Sequence, residues 1–466
     1  MNIKEVHSAY FIGIGGIGMS AIARWFHHNG VKVTGYDKTP SPLTERLQQE
    51  GIDVDFDESV AALPGFVKEQ DEKVLLVYTP AIPAKHKAFS YLKENGFKLY
   101  KRSEVLGEIT KGLFTIAVAG THGKTTTSSM VAHILKHSGE NVTGFLGGIS
   151  VNYDTNMLLN EGEMNTAKVV VEADEFDRSF LTLHPNIAIV TSTDADHLDI
   201  YGEANELKKS FAEFLQKVNA EGQIFIKEGL WEGLSTDKIA ATHSEYAIEK
   251  GANVKAFNIR IENGAFSFDV AINGELMTDF ELAVPGYHNV ENATAAIAVA
   301  KKINISTDKI KAAIASYKGV KRRFEYIIRR DDFIFIDDYA HHPSEISAML
   351  KSARALFPDK KITVLFQPHL YSRTRDFAEG FSESLSLADE ALLLDIYPAR
   401  EEPIEGVNSE MLLSNITADR KLILAKEEVG NYASNNRFEV FITLGAGDID
   451  RLVTPLKEIF NKTYAV

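Results

Sequence analysis

The 466-residue chain contains no cysteine, which excludes disulfides, thiolate catalysis and cysteine-based zinc sites. A cysteine-free chain fits the cytoplasm, and that is the expected location. Positive charge is also short, with 50 Lys and Arg against 65 Asp and Glu and a formal net charge of −15. This balance opposes general binding to nucleic acid or to an anionic membrane, both of which demand counter-charge. No run approaches about eighteen uninterrupted apolar residues, so membrane insertion is not expected. The stretch Ala9 to Phe26 lacks a basic cluster ahead of it and is rich in glycine. It reads as strand, loop and helix rather than as a signal peptide. What is present is a hydrophobic content of 44% with 10% aromatic residues, enough for two to four packed domains at this length.

The most informative stretch is Ala119 to Thr127, AGTHGKTTT. It follows the apolar run Phe114 to Val118 and precedes a helical stretch, Ser128 to Lys136. Strand, glycine turn, lysine, hydroxyl and helix form the layout of a nucleotide-binding P-loop. Backbone N–H groups of the turn and the positive helix start hold phosphate oxygens. Lys124 then reaches the terminal phosphates, and Thr125 a Mg²⁺ ion, with Mn²⁺ as the alternative. Val118 stands where the usual pattern has its first glycine, so the loop is a shortened variant.

Two further units flank this one. Near the start, a buried strand beginning at Ala9 leads into Gly13, Gly15, Gly16 and Gly18, and a helix follows from Met19 to His28. The glycines fit GxGxxG, and a second strand from Val31 ends at Asp37, about twenty positions on, as in a dinucleotide fingerprint. On these residues alone NAD, FAD or a nucleotide-sugar are all admissible, and such turns also occur without a ligand. A third strand, Lys73 to Thr79, runs into Pro80-Ala81-Ile82-Pro83, a turn at the strand's carboxyl end, where ligands of open α/β sheets gather.

The P-loop unit starts near Ile109. Its strand Lys168 to Glu172 is followed by Ala173-Asp174-Glu175, and the strand Asn186 to Thr191 by Asp194, Asp196, His197 and Asp199. An acid ending a strand beside a P-loop holds the metal in such folds, which points to Glu172, with His197 for a second ion. The plain alternative is that these acids cap the following helices. Residues Val254 to Ala283 read as an antiparallel meander, with Asn263-Gly264 and Asn273-Gly274 as hairpin turns. Asn289 and Asn292 open a helix from Val290 to Ile303, either as caps or as partners for a base edge.

A third unit follows Gly319 and the basic run Lys321-Arg322-Arg323. Four strands read clearly: Phe333 to Asp338, Lys361 to Phe366, Glu390 to Asp395 and Val440 to Leu444. Each ends in polar residues and precedes a helix, which makes another open α/β sheet. Tyr339, His341 and His342 fall at one such carboxyl edge, although paired histidines are commonly capping or packing groups.

Taken together, these residues resemble the Mur ligase family over nearly the whole chain. The matching segments are GIGGIGMS (13–20), GTHGKTTT (120–127), VEADE (171–175), DADHLD (194–199), HNVENATAA (288–296), RRF (322–324), DDYAHHPSEI (337–346), QPHLYSRT (367–374) and GAGDI (445–449). The N-terminal loop and DDYAHHP point to the branch that adds L-alanine to the carboxylate of UDP-N-acetylmuramate in peptidoglycan synthesis. The resemblance implies an α/β chain of three domains. Residues 1–108 form a Rossmann-like part for the UDP-sugar, 109–317 a central P-loop part for ATP with a small antiparallel meander, and 318–466 a Rossmann-like part for the amino acid. It further implies an acyl-phosphate mechanism without hydride chemistry. The UDP-sugar falls to Gly15, Gly16, Ile17, Gly18, Ser20, Asp37, Thr79 and Ala81. ATP falls to Gly120, Thr121, His122, Gly123, Lys124, Thr125, Thr126, Asn289, Asn292, Arg323 and Asp337. Tyr339, His341 and Arg373 take the amino acid, Thr125, Glu172 and His197 the metal, and Lys124, Glu172, His197 and Arg323 carry catalysis. The partners are small molecules, and the oligomeric expectation is a monomer or homodimer.

Three positions depart from the family pattern. Ala212 replaces a modified lysine found in several branches, Ser192 replaces a frequent asparagine, and Leu370 occupies a place that is basic in some relatives. Three other readings stay open at this stage: a related ligase that attaches a whole tripeptide to the same nucleotide, a nicotinamide-dependent oxidoreductase suggested by GxGxxG with Asp37, and a nucleotide-gated binding protein without catalysis.

Overall fold

Strands that must be covered on both faces carry unbroken apolar runs, and here those runs become the central strands of parallel sheets. Ser8–Ile12, Ile187–Val190, Ile362–Phe366 and Val440–Leu444 are buried at every residue. The computed structural model describes residues 3–69, 71–83, 85–194, 204–249, 251–262, 265–399 and 401–464. These divide into two units, one of residues 1–257, 269–280 and 291–317, the other of residues 258–268, 281–290 and 318–466.

The first sheet runs in the order Asp53–Asp55, Lys32–Tyr36, Ser8–Ile12, Val74–Tyr78, Leu99–Lys101, all parallel. Chain order reverses at Ser8–Ile12, so the glycine loop after this strand opens at the switch point of the sheet. The second sheet has ten strands, in the order Glu275–Leu282, Ala265–Ile272, Val254–Glu262, Thr242–Ile248, Gln223–Lys227, Ile187–Val190, Phe114–Ala119, Lys168–Glu172, Val142–Ser150, Thr155–Leu158. The P-loop strand Phe114–Ala119 lies between Lys168–Glu172 and Ile187–Val190, with Val118 opposite Glu172 and Ala119 opposite Val190. Both acid-bearing strand ends therefore fall beside the P-loop. Asn273 and Gly274 adopt φ of 48° and 90°, the double left-handed turn expected of a two-residue hairpin. The Asn263-Gly264 turn lies outside the described residues.

The third sheet, in the second unit, runs Glu325–Arg329, Ile334–Asp338, Val440–Leu444, Ile362–Phe366, Glu390–Leu393, Arg420–Ile423. Only its first strand is antiparallel to its neighbour. Alternate residues feed opposite faces, as strand geometry requires. Ile336, Val364 and Ile442 pack into one core, and Phe335, Leu365 and Phe441 into the other. In the first unit one continuous apolar core runs from Phe11, Ile22 and Phe26 of the first sheet and its helix to Phe145, Met157 and Val171 of the second, and a separate cluster with Tyr10, Ile12 and Leu76 covers the other face of the first sheet. The α/β class expected from the sequence is the one observed. Among the described residues no helix is long and apolar enough to cross a membrane.

The P-loop helix Lys124–His137 is buried along most of its length, and this includes His133. The ring lies 2.9 Å from Tyr153 Oη and 3.0 Å from both Ala313 O and Ser316 Oγ. Burial pulls its pKa down to about 4, against a small opposing pull from the Ala313 carbonyl. The folded state thus favours neutral imidazole, and the unfolded chain takes up a proton between pH 6.5 and 4. This stabilisation is complete above pH 6.5 and is lost as pH falls towards 4. At pH 5 the loss is about 2 kcal/mol. Urea unfolding at pH 7 and pH 5, compared with His133→Gln, checks it: the variant loses less stability across that interval.

Candidate active site

The P-loop turns sharply because only glycine fits its two critical positions. Gly120 has φ of 137°, and a Cβ there would fall 2.8 Å from Ser192 N. Gly123, with φ of 82°, caps the helix without any side-chain hydrogen bond to its first turn. The turn's backbone is thus exposed to an anion and backed by the helix N-terminus. Thr191 and Ser192, at the end of the neighbouring strand, pin the loop. Thr191 Oγ1 donates to His122 O. Ser192 Oγ lies 2.7 Å from Thr121 Oγ1 and accepts from His122 N–H at 2.8 Å. The family departure at Ser192 therefore has a defined use, since a short hydroxyl reaches two loop groups at once.

Lys124 folds back onto its own loop. Its Nζ donates to Gly120 O at 2.6 Å and lies 2.9 Å from both oxygens of Glu175. Burial alone depresses a lysine. Here Glu175, Asp174 and Glu172 outweigh it and hold the ammonium above its ordinary value. Lys124 is a permanent cation. Thr125 and Thr126 are buried in the first turn of the helix, and Asn292 approaches Gly123 from the helix Tyr287–Lys302.

Glu172 ends its strand beside Val118 and faces Gly147 on the strand Val142–Ser150 so closely that a Cβ on Gly147 would overlap its carboxylate. A cavity of about 290 Å³ opens here, with Glu172 on one wall and Gly16, Ile17, Gly18, Thr79 and Ala81 on another. The structure thus brings the first glycine loop, the turn after the third strand and Glu172 around one space. Gly15, Ser20 and Asp37 do not line it. Asp37 Oδ2 accepts the Gly15 N–H at 2.7 Å and its Oδ1 that of Lys38 at 2.8 Å. Ser20 is fully buried, its hydroxyl donating to Ile17 O at 2.9 Å and receiving Asn156 Nδ2 at 3.0 Å. These three residues shape the loop from behind.

His197 lies outside the described residues, as do Asp196 and Asp199. Among the described residues no group of three His, Asp or Glu side chains forms a metal site by itself. Glu172 and Thr125 nevertheless suit a hard cation. Both offer oxygen donors, and Gly147 keeps the space against the carboxylate clear. Ala212, where several branches carry the modified lysine, is buried on the apolar face of the amphipathic helix Ala204–Leu215.

The second unit gathers its own set. Asp337 is gripped by Arg322 Nε at 3.1 Å and Thr443 Oγ1 at 2.6 Å, yet burial still leaves its pKa raised. Asp338 accepts the backbone N–H groups of Phe324 at 2.6 Å and Ala340 at 2.7 Å. Its burial outweighs these bonds and Arg323, and its pKa rises to about 6. Arg322 and Arg323 each place a guanidinium 5.2 Å from the Tyr339 ring. His341 Nδ1 lies 3.0 Å from Tyr339 O and 3.2 Å from Glu345, which also meets Arg323 at 3.7 Å. Arg322 and Phe324 have φ of 60° and 48°, a strained backbone that aims Arg323. Arg373 stands on the short helix Tyr371–Asp376, and Leu370 before it has φ of 69°. Asn289 Nδ2 donates to Pro285 O at 2.6 Å, a bond to a carbonyl and so not a cap of the helix's free N–H groups.

Sequence reasoning missed Arg102, Gly147 and Glu175. Arg102 reaches Asp174 at 3.3 Å and crowds Gly18 on the cavity wall. Nothing local marks it, since it follows a three-residue strand that has no apolar pattern.

Residues 8–113 match the family model described as the Mur ligase family catalytic domain, residues 118–300 the Mur ligase middle domain, and residues 322–440 the Mur ligase glutamate ligase domain. The chain is 50% identical over 463 residues to the UDP-N-acetylmuramate–L-alanine ligase of Flavobacterium johnsoniae, covering 99% of this chain and 100% of that one. It is 47% identical to the enzyme of the same name from Cytophaga hutchinsonii, over 100% of this chain and 99% of that one. Its fold is similar to the crystal structure of UDP-N-acetylmuramate–alanine ligase from Thermotoga maritima, with a TM-score of 0.82, 27% identity and coverage of 98% and 99%. Full-length identity at this level, on a site built around the family's P-loop, leaves one conclusion: the chain belongs to the Mur ligase family.

Proposed function

We propose that this chain is an ATP-dependent ligase that joins L-alanine to the carboxylate of UDP-N-acetylmuramate in peptidoglycan precursor synthesis. The observation that carries this reading is the shared cavity, where a nucleotide-type glycine loop and Glu172 of the P-loop sheet face one space. A UDP-sugar on the glycine loop directs its sugar end towards the ATP side, as phosphoryl transfer to a sugar carboxylate requires. Full-length relatives with this activity in their names support the same substrates. The division at 1–108, 109–317 and 318–466 follows these roles: UDP-sugar, ATP and amino acid.

The muramate carboxylate attacks the γ-phosphate of ATP and ADP leaves. The alanine amine then attacks the acyl carbonyl, and phosphate departs with the former carboxylate oxygen. A carboxylate is a poor acyl donor until that oxygen becomes part of a phosphate leaving group. Lys124 and the loop N–H groups stabilise the charge on the transferring phosphoryl. Thr125, Glu172 and His197 are the residues that would hold Mg²⁺, which supplies further charge neutralisation when bound. Arg323 and Asp337 belong to the ATP side, and Tyr339, His341 and Arg373 to the amino acid side, where an arginine fork suits a carboxylate.

The nicotinamide reading loses its main support, because Asp37 is turned onto Gly15 N–H and not outwards to a ribose. The test is phosphate release from ATP and Mg²⁺ with UDP-N-acetylmuramate, offering L-alanine and the tripeptide separately. Release that needs both the UDP-sugar and L-alanine supports the proposal. Release only with the tripeptide moves the chain to the recycling branch, and none at all leaves a binding protein. Glu172→Gln is expected to raise the half-saturating Mg²⁺ concentration at least about tenfold. An unchanged metal titration would remove Glu172 from the metal site.

A further inference from the structure

An ammonium group has three donors and no acceptor. Lys124 commits one to Gly120 O at 2.6 Å and one to Glu175 at 2.9 Å, and makes only a long third contact, 3.5 Å to Thr121 O. Glu175 has no solvent exposure at all, which is a costly place for a carboxylate that a phosphate-binding lysine does not need in order to be a point charge.

The backbone is bent to bring it there. Asp177 and Arg178 both adopt left-handed φ, 51° and 54°, a strained conformation for two consecutive non-glycine residues. Arg178 N–H donates back to Glu175 O at 2.9 Å and closes the turn. Lys101 holds Asp177 at 2.8 Å and Arg102 holds Asp174 at 3.3 Å, so the segment is tied down on both sides of Glu175. Strain anchored in this way marks a constraint on the residue it delivers.

We propose that Glu175 is the positioning residue of the P-loop lysine. With Gly120 O it fixes two N–H directions of Lys124, and the third, which has only the 3.5 Å contact to Thr121 O, is the one that turns to a phosphate oxygen of the nucleotide. The lysine then meets the transferring phosphoryl already oriented, with no rotamer search during the reaction. This inference rests on the ligase reading for its kinetic test.

The experiment compares Glu175→Leu and Glu175→Gln in the intact enzyme, measuring kcat, both nucleotide KM values and Mg-ADP affinity. The leucine variant is expected to lose about 10²-fold in kcat. The glutamine variant keeps an oxygen at the same reach and is expected to lose only about three- to tenfold. The KM for UDP-N-acetylmuramate stays within about twofold in both. A merely structural role would raise both KM values, without recovery in the glutamine variant, and that result overturns the proposal. Wild-type kcat in the leucine variant overturns it as well. If the leucine variant does not fold, the glutamine variant decides: the stated loss supports the proposal and wild-type kcat refutes it. If the wild-type chain itself releases no phosphate, the ligase reading fails separately. Mg-ADP affinity then decides, a roughly tenfold loss on removing the carboxylate supporting positioning and an unchanged affinity refuting it.

Discussion

Lys124→Ala is expected to lose at least about 10³-fold in phosphate release and also to destabilise the fold. The second effect follows from Glu175. The side chain of Lys124 is only 13% exposed and that of Glu175 0%, so removing the lysine strands a carboxylate in the interior. Breaking one side of such a pair costs about 3–5 kcal/mol, whereas replacing both members by neutral groups of similar size is often tolerated. The double variant Lys124→Met with Glu175→Gln is therefore expected to recover most of the stability and none of the activity. Denaturant unfolding and phosphate release on the three proteins separate the two losses. A single variant that is inactive yet as stable as wild type would mean that the buried pair contributes nothing to folding. Normal turnover would remove the P-loop from the mechanism.

Gly147→Ala is expected to cost about 10²-fold in kcat and to raise the Mg²⁺ requirement, although it adds one methyl group and removes nothing. The new Cβ would overlap the Glu172 carboxylate, lying 2.6 Å from its Oε1. Either the carboxylate rotates away or the strand shifts, and overpacking of this kind costs about 1–3 kcal/mol. Gly144→Ala on the same strand is the control, since its Cβ would meet Leu158 and Ala132 at ordinary distances of 3.4 and 3.5 Å. Equal activity of the two variants in a Mg²⁺ titration would show that the position of Glu172 does not matter.

The residues that sequence reading found and those it missed differ in a physical way. Lys124, Glu172 and the glycines of both loops were legible because each sits in a local pattern whose chemistry is carried by the backbone nearby. Short edge strands were not legible. Asp53–Asp55, Leu99–Lys101, Glu325–Arg329 and Arg420–Ile423 carry charged residues and little apolar pattern, since an edge strand has one neighbour and is only partly covered. Asp37 read as a ligand residue by its spacing, yet spacing does not say which way a carboxylate turns, and it turned onto Gly15 N–H.

By itself the sequence determined the α/β class, the P-loop, the glycine loop and the acids that end the neighbouring strands, because strand, turn and helix signals act over a few residues. Only the tertiary structure decided that Glu172 faces the glycine loop across one cavity, that Gly147 must lack a side chain, and that Glu175 holds Lys124. Those relations join residues 25 to more than 150 positions apart. They are set by which strands become neighbours and where the backbone bends, and burial of the whole core fixes both.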